Sequence, residues 1–229
     1  MFDPVGNGGL NLRQLNATTW ATTRGLHVGN KSQPVGIEIG DVEDTIFRPQ
    51  LKLKRWNNES NISMRLTEAP TSSSLLGNRI VSVSPNYVSE FKNTRAGFDI
   101  TLMVTSVISS VTFTLNKKNC TFVRQPVYTD SLGDQVSVMN GGETFFKDGV
   151  EDIMPFTRRC PLNNQGSYIV IHDSKRDGQY ATGKICTLFR PTLTDDDGNE
   201  SFVDITIAND QLTYDLTPFA AAGLPWTIE

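Results

Sequence analysis

The side chains that could do chemistry are few and scattered through 229 residues. Histidine occurs only as His27 and His172, too few for a histidine-ligated metal centre. The one place where a nucleophile stands beside a base is His172-Asp173-Ser174. Those are the residue types of a hydrolytic triad, but a triad is a matter of geometry, and neighbours along a strand point to opposite faces. The expectation is a histidine at a strand end beside a turn. Cys120, Cys160 and Cys186 lie far apart and form no Cys-x-x-Cys pair, which predicts free thiols in a reducing compartment. The acidic run Asp195-Asp196-Asp197-Gly198-Asn199-Glu200 offers oxygen ligands of the kind Ca²⁺ prefers, without the alternating spacing of an EF-hand loop. No phosphate-binding glycine loop, nucleophile elbow or paired-histidine zinc motif is present. No catalytic residue, metal ligand or cofactor is nominated, and an enzyme is not expected.

One constellation has the chemistry of a binding surface. In Thr45 to Leu66, Leu51 and Leu53 alternate with Lys52 and Lys54, and after Asn57-Asn58-Glu59, Ile62, Met64 and Leu66 alternate with Ser63 and Arg65. A period of two is what a half-buried antiparallel hairpin requires. One face is then apolar, and the other carries Lys52, Lys54 and Arg65, with Arg48 and Arg55 close by. Such a stripe could meet phosphates, with Trp56 available for stacking on bases. Nucleic acid through this face is therefore a possible partner, and Arg48, Lys52, Lys54, Arg55 and Arg65 are the candidate site. Lysines on a sheet face also discourage edge-to-edge pairing, which is the structural alternative.

The totals restrict the rest. The formal net charge is −4, which argues against a general polyanion binder, although residues 1–130 are net basic and 131–229 net acidic. Ser, Thr, Asn and Gly are abundant, and no long stretch has apolar residues at helical spacing, so the expected class is all-β. Neither a signal peptide nor a membrane-spanning segment is expected, because the chain opens on Met1-Phe2-Asp3-Pro4 and its most apolar stretch, Ile100 to Leu115, is broken by Ser and Thr. The expected location is a virion or the cytoplasm. The six Asn-x-Ser/Thr sequons would matter only on secretion.

Residues 1–34 read as an extended arm, without sustained periodicity yet carrying Phe2, Leu10, Leu12, Leu15 and Trp20, which need a surface to lie on. Residues 35–229 read as a β-rich domain, an antiparallel sandwich or jelly-roll-like fold, with a possible subdivision into 35–130 and 131–229. Strands are expected over Arg79–Ser84, Phe98–Val104, Ser167–His172 and Gln211–Leu216. The apolar parity flips between Phe98–Val104 and Val111–Leu115, so a bulge or turn near Ser106–Ser110 is required. A helical turn is expected within Asp148–Phe156 and another in the apolar tail PFAAAGLPWTIE, and turns at Asp177-Gly178 and Asp197-Gly198, the latter of type I′. The string TIFRPQL…NES at 45–60 is echoed by TLFRPTL…NES at 187–201, which a duplicated β unit would explain.

Two functions fit. The first is a non-enzymatic structural subunit of a protein shell or particle, a viral or phage coat component that assembles with copies of itself through its arm and apolar tail. The second is a surface recognition module, a carbohydrate-binding or adhesive sandwich using Trp20, Trp56, Tyr128 and the Asp-rich loop.

Overall fold

A computed structural model describes residues 12–28, 31–93, 98–175 and 183–229, with 22–28, 31–34 and 93 described by backbone alone. Its frame is two antiparallel sheets. The first has eight strands in the order Arg13–Asn16, Thr19–Val28, Lys31–Gly40, Gln50–Arg55, Ser60–Leu66, Ser110–Lys118, Gln211–Asp215 and Asp204–Ala208. The second has seven, in the order Glu200–Phe202, Thr192–Thr194, Trp226–Ile228, Phe98–Val104, Tyr87–Asn93, Arg79–Val83 and Ser72–Leu76. One apolar core joins them. Ile39, Leu51, Met64, Phe113, Leu115 and Leu212 from the first sheet pack with Ile80, Phe91, Leu102, Val104, Leu193 and Trp226 from the second. The all-β sandwich expected from the period-two patterning is the fold, and both sheets draw strands from 35–130 and from 131–229.

The parity flip has a simple cause. Phe98–Val104 lies in the second sheet and Ser110–Lys118 in the first, so the intervening loop carries the chain across the sandwich. Leu102 and Val104 point into the core from one side, Val111, Phe113 and Leu115 from the other. The loop at 105–109, outside either strand, absorbs the change of parity, so the expected turn is present and no bulge is needed.

Residues 120–188 form an inserted module between the two layers' strands. Cys120–Arg124, Tyr168–His172 and Lys184–Leu188 make one three-stranded sheet, and Tyr128–Thr129, Thr144–Lys147 and Val150–Ile153 another. The second has its own small core of Tyr128, Met139, Phe145 and Met154. Its turns fall where glycine supplies the left-handed backbone, at Gly133, Gly142 and Gly149. Val150–Ile153 is a strand closing a hairpin at Asp148-Gly149, not the helical turn expected there.

Three further expectations change. Most of the stretch read as an arm is ladder: Arg13–Asn16, Thr19–Val28 and Lys31–Gly40 pair in succession, and Trp20 is buried with its ring edge against Phe47 at 5.3 Å. Phe2 and Leu10 lie outside the described residues, as does Asp177-Gly178. The C-terminal stretch is no free tail. After a single 3-10 turn at Thr217–Phe219 it enters the second sheet as Trp226–Ile228, with Trp226 fully buried between Thr192–Thr194 and Phe98–Val104. At Asp197-Gly198 only Gly198 has positive φ, so the turn is not type I′. The loop spans Asp195 to Asn199 instead, closed by Asp195, whose carboxylate accepts the Asn199 N–H at 2.8 Å.

Candidate functional site

The hairpin built by Gln50–Arg55 and Ser60–Leu66 is central in the eight-stranded sheet, between Lys31–Gly40 and Ser110–Lys118. Its turn at 56–59 holds Trp56, Asn57 and Asn58 at positive φ, a conformation asparagine tolerates better than most residues. Leu51 pairs with Met64 against the sandwich core, whereas Leu53 and Ile62, nearer the turn, pack with Cys120, Val170 and Ile185 of the inserted module. Leu53 is half-buried.

The five candidate cations neither share one face nor are equivalent, since Arg55 has the parity of Leu51 and Leu53. Arg65 is clamped: its guanidinium meets Asp44 at 2.9 Å and Asp41 at 3.1 Å and donates from Nε to Gln50 Oε1 at 2.9 Å. Gln50 in turn donates to Asp41 at 3.3 Å. Lys54 is paired with Glu38 on the neighbouring strand. Arg55 is buried, donates to the Lys184 carbonyl and lies 4.4 Å from the Trp56 ring centroid, so it ties the hairpin to the inserted module. Arg48 is exposed, and among the described residues neither Arg48 nor Lys52 is in an ion pair. Burial raises the Asp41 carboxyl, but the Glu43 N–H, the Gln50 amide and the Arg65 charge together hold it below the usual aspartate value.

Much of the basic stripe is therefore neutralised by Glu38, Asp41 and Asp44. The signal for this stood in the sequence: GIEIGDVED, immediately before the hairpin, is acidic. An antiparallel neighbour necessarily lays Glu38 opposite Lys52 and beside Lys54.

At the turn end a second cluster forms that adjacency in sequence did not suggest. Beyond Tyr168–His172 the chain turns, so that Ser174 folds back on the histidine ring. His172 Nδ1 accepts the Ser174 backbone N–H at 3.1 Å and lies 3.3 Å from the Ser174 hydroxyl. Its Nε2 lies 3.2 Å from Glu59 Oε1, which also receives Lys175 Nζ at 2.5 Å. Carboxylate, imidazole and hydroxyl thus occur in the order of a hydrolytic relay. The imidazole is poorly placed to act as a base, because its Nδ1 lone pair is already engaged by a backbone donor. The ring is also buried, edge-on to Trp56 at 5.2 Å, so a substrate would have to displace the Ser174 turn to reach it. The cluster joins Glu59 on the hairpin to His172 and Lys175 of the inserted module. The Lys175 hydrogen bond and the Lys175 charge keep the Glu59 carboxyl below its usual pKa.

The aromatic residues considered for recognition are engaged internally. Trp20 and Tyr128 are buried, and Trp56 lies beneath Arg55 and Lys175. The Asp195 carboxylate caps its own loop through the backbone N–H and side-chain amide of Asn199. The three thiols are free, and burial pushes Cys186 up to about 12. No protein-family model, curated protein or solved structure matches the chain.

Proposed function

We propose that the chain is a non-enzymatic structural subunit of a protein shell, of the viral or phage coat kind, assembling with copies of itself. The observation that carries this reading is the ribbon of Thr19–Val28 and Lys31–Gly40. Lys31–Gly40 pairs with Gln50–Arg55 only from Val35 to Ile39, and Arg13–Asn16 reaches only to Ala21. Beyond those points the two ribbon strands pair with each other alone, out to Val28 and Lys31. A two-stranded ribbon is marginal by itself in water, so an extension of this kind is best supported by a partner on which it lies. The sandwich behind it, tied to the inserted module by Arg55 and Glu59, is suited to bearing load rather than to turnover. On the outer hairpin face, contact with nucleic acid would fall to Arg48 and Lys52.

The test is to replace residues 25–34 by Asn-Gly, closing the ribbon where Arg24 pairs with Val35. Light scattering and negative-stain microscopy of the intact chain are expected to show particles, lost in the shortened chain while its melting temperature moves by no more than a few degrees. A monomeric intact chain at high concentration would remove the reading. It would promote the recognition module instead, for which the exposed Leu132, Val150, Ile153 and Phe156 of the inserted module are the supporting observation.

A further inference from the structure

The two main sheets have four edges, and three carry a device against edge-to-edge pairing. Arg13–Asn16 is four residues long, begins with an exposed arginine, and shifts register between Gln14 and Asn16. Glu200–Phe202 is three residues long and opens on an exposed glutamate. Asp204–Ala208 presents Asp204, whose side chain is 77% exposed. The fourth edge, Ser72–Leu76, has none of these. It reads Ser-Ser-Ser-Leu-Leu, runs in unbroken register with Arg79–Val83, and is exposed at every residue.

Its unpaired backbone groups can be assigned. Gly77-Asn78 is a two-residue turn with Gly77 at φ 67°, so the closing pair Leu76 and Arg79 is hydrogen-bonded. In an antiparallel ladder such pairs alternate, so Ser74 and Ser72 also bond inward. The N–H and C=O of Ser73 and Leu75 then point away from the sheet. The carbonyl of Val83 also accepts the Thr71 N–H at 2.7 Å, which ties down the start of the strand.

We propose that Ser72–Leu76 pairs antiparallel with the same strand of a second copy, about a two-fold axis through Ser74. Ser73 then faces Leu75 of the second copy, and Leu75 faces its Ser73, each pair exchanging N–H···O=C bonds in both directions. Ser74 meets its own counterpart in the intervening wide pair, and the two seven-stranded sheets become continuous. A second copy fits better than a charged peptide because the strand offers no counter-charge. Of the charges on the strands behind it, Arg79 and Glu90 are paired with each other at 3.0 Å, and the strand itself carries no charge to repel its counterpart. The contact deepens the shell reading, on which it rests only for the larger body that such pairs would build.

The register makes the proposal testable. Wide pairs bring Cα atoms to about 4.5 Å, within disulfide range. Ser74→Cys, oxidised with diamide, is expected to run mostly as a covalent dimer on a non-reducing gel. Ser72→Cys, placed opposite Leu76 of the second copy, and the unmutated chain are expected to cross-link at least ten-fold less. Leu75→Pro removes one outward N–H and no inward one, and is expected to weaken self-association at least ten-fold with the β-type circular dichroism unchanged. Cross-linking of Ser74→Cys no greater than that of Ser72→Cys, or an unchanged mass for Leu75→Pro, would overturn the contact. Particles that persist in Leu75→Pro would refute this edge and leave the shell reading standing. Cross-linked pairs without any larger particle would do the reverse.

Discussion

Thr45–Leu51 and Thr187–Leu193 share five of seven residues, and the same words lead to opposite arrangements. In both, the strand begins immediately after a buried proline, at Gln50 and at Thr192, and the leucine that follows is buried. In the first copy Phe47 turns inward onto Trp20 and Arg48 is exposed. In the second Phe189 is 54% exposed and Arg190 is buried. The hairpins also differ in register, since Ser60 pairs with Arg55 whereas Ser201 pairs with Leu193. Proline sets where a strand can start, because it cannot donate to the ladder. Which of Phe and Arg goes inside is set by what lies overhead. Arg190 is covered from two sides: it donates to Gln135 of the inserted module at 2.7 Å, and from the main sheets it reaches Asp204 at 3.4 Å and lies 4.4 Å from the Phe202 ring centroid.

The comparison can be broken at several points. Truncating the leucine the two copies share should cost most: Leu193→Ala is expected to lose about 3 kcal/mol in a denaturant titration, with Leu51→Ala close behind, since both empty packed core. The arginines should separate sharply. Arg190→Ala is expected to cost about 2 kcal/mol by stranding Gln135 and uncovering Phe202, whereas Arg48→Ala should cost only a few tenths of a kcal/mol. Equal effects at the two would show that the reversed facing is wrong.

The cover itself can be tested at Gly166. Its φ is +72°, and a Cβ there would meet Arg190 Cδ at 3.2 Å. Gly166→Ala is therefore expected to cost about 1–2 kcal/mol, mostly from left-handed backbone strain. The smallest effect concerns acid. Asp41 is held below its unfolded pKa, so its contribution is present above pH ~4 and is lost as pH falls through the folded value. The stability lost between pH 6 and pH 2 should shrink in Asp41→Asn, by less than about 1 kcal/mol because the group is partly exposed. An identical acid slope in both proteins would mean that the Arg65 clamp contributes nothing measurable.

The lysine stripe shows how far reading the chain in order could go. Alternation placed Lys52, Lys54 and Arg65 on one face of the hairpin, because strand parity is a local property. It did not show that Lys54 and Arg65 are neutralised, although Glu38, Asp41 and Asp44 stand only a few residues upstream. That step needed the knowledge that Lys31–Gly40 is the hairpin's neighbour. His172 was harder still. No spacing rule foretells that a turn after Tyr168–His172 brings Ser174 to one ring nitrogen, while Glu59, from more than a hundred residues earlier, reaches the other.

Taken alone, the sequence determined the all-β class, the hairpin at 50–66 and its facing, the glycine turns, and the lack of any recognisable catalytic motif. Each depends on interactions among residues a few positions apart, where side-chain period and backbone freedom decide the outcome. The tertiary structure alone decided that Trp20 and Trp226 belong to the core, that the parity flip is a crossing between sheets, and that Ser72–Leu76 ends its sheet among the described residues. Those outcomes depend on which distant strand arrives alongside. Pairing energy is nearly the same for many partners, and only the joint burial of both sheet faces selects one.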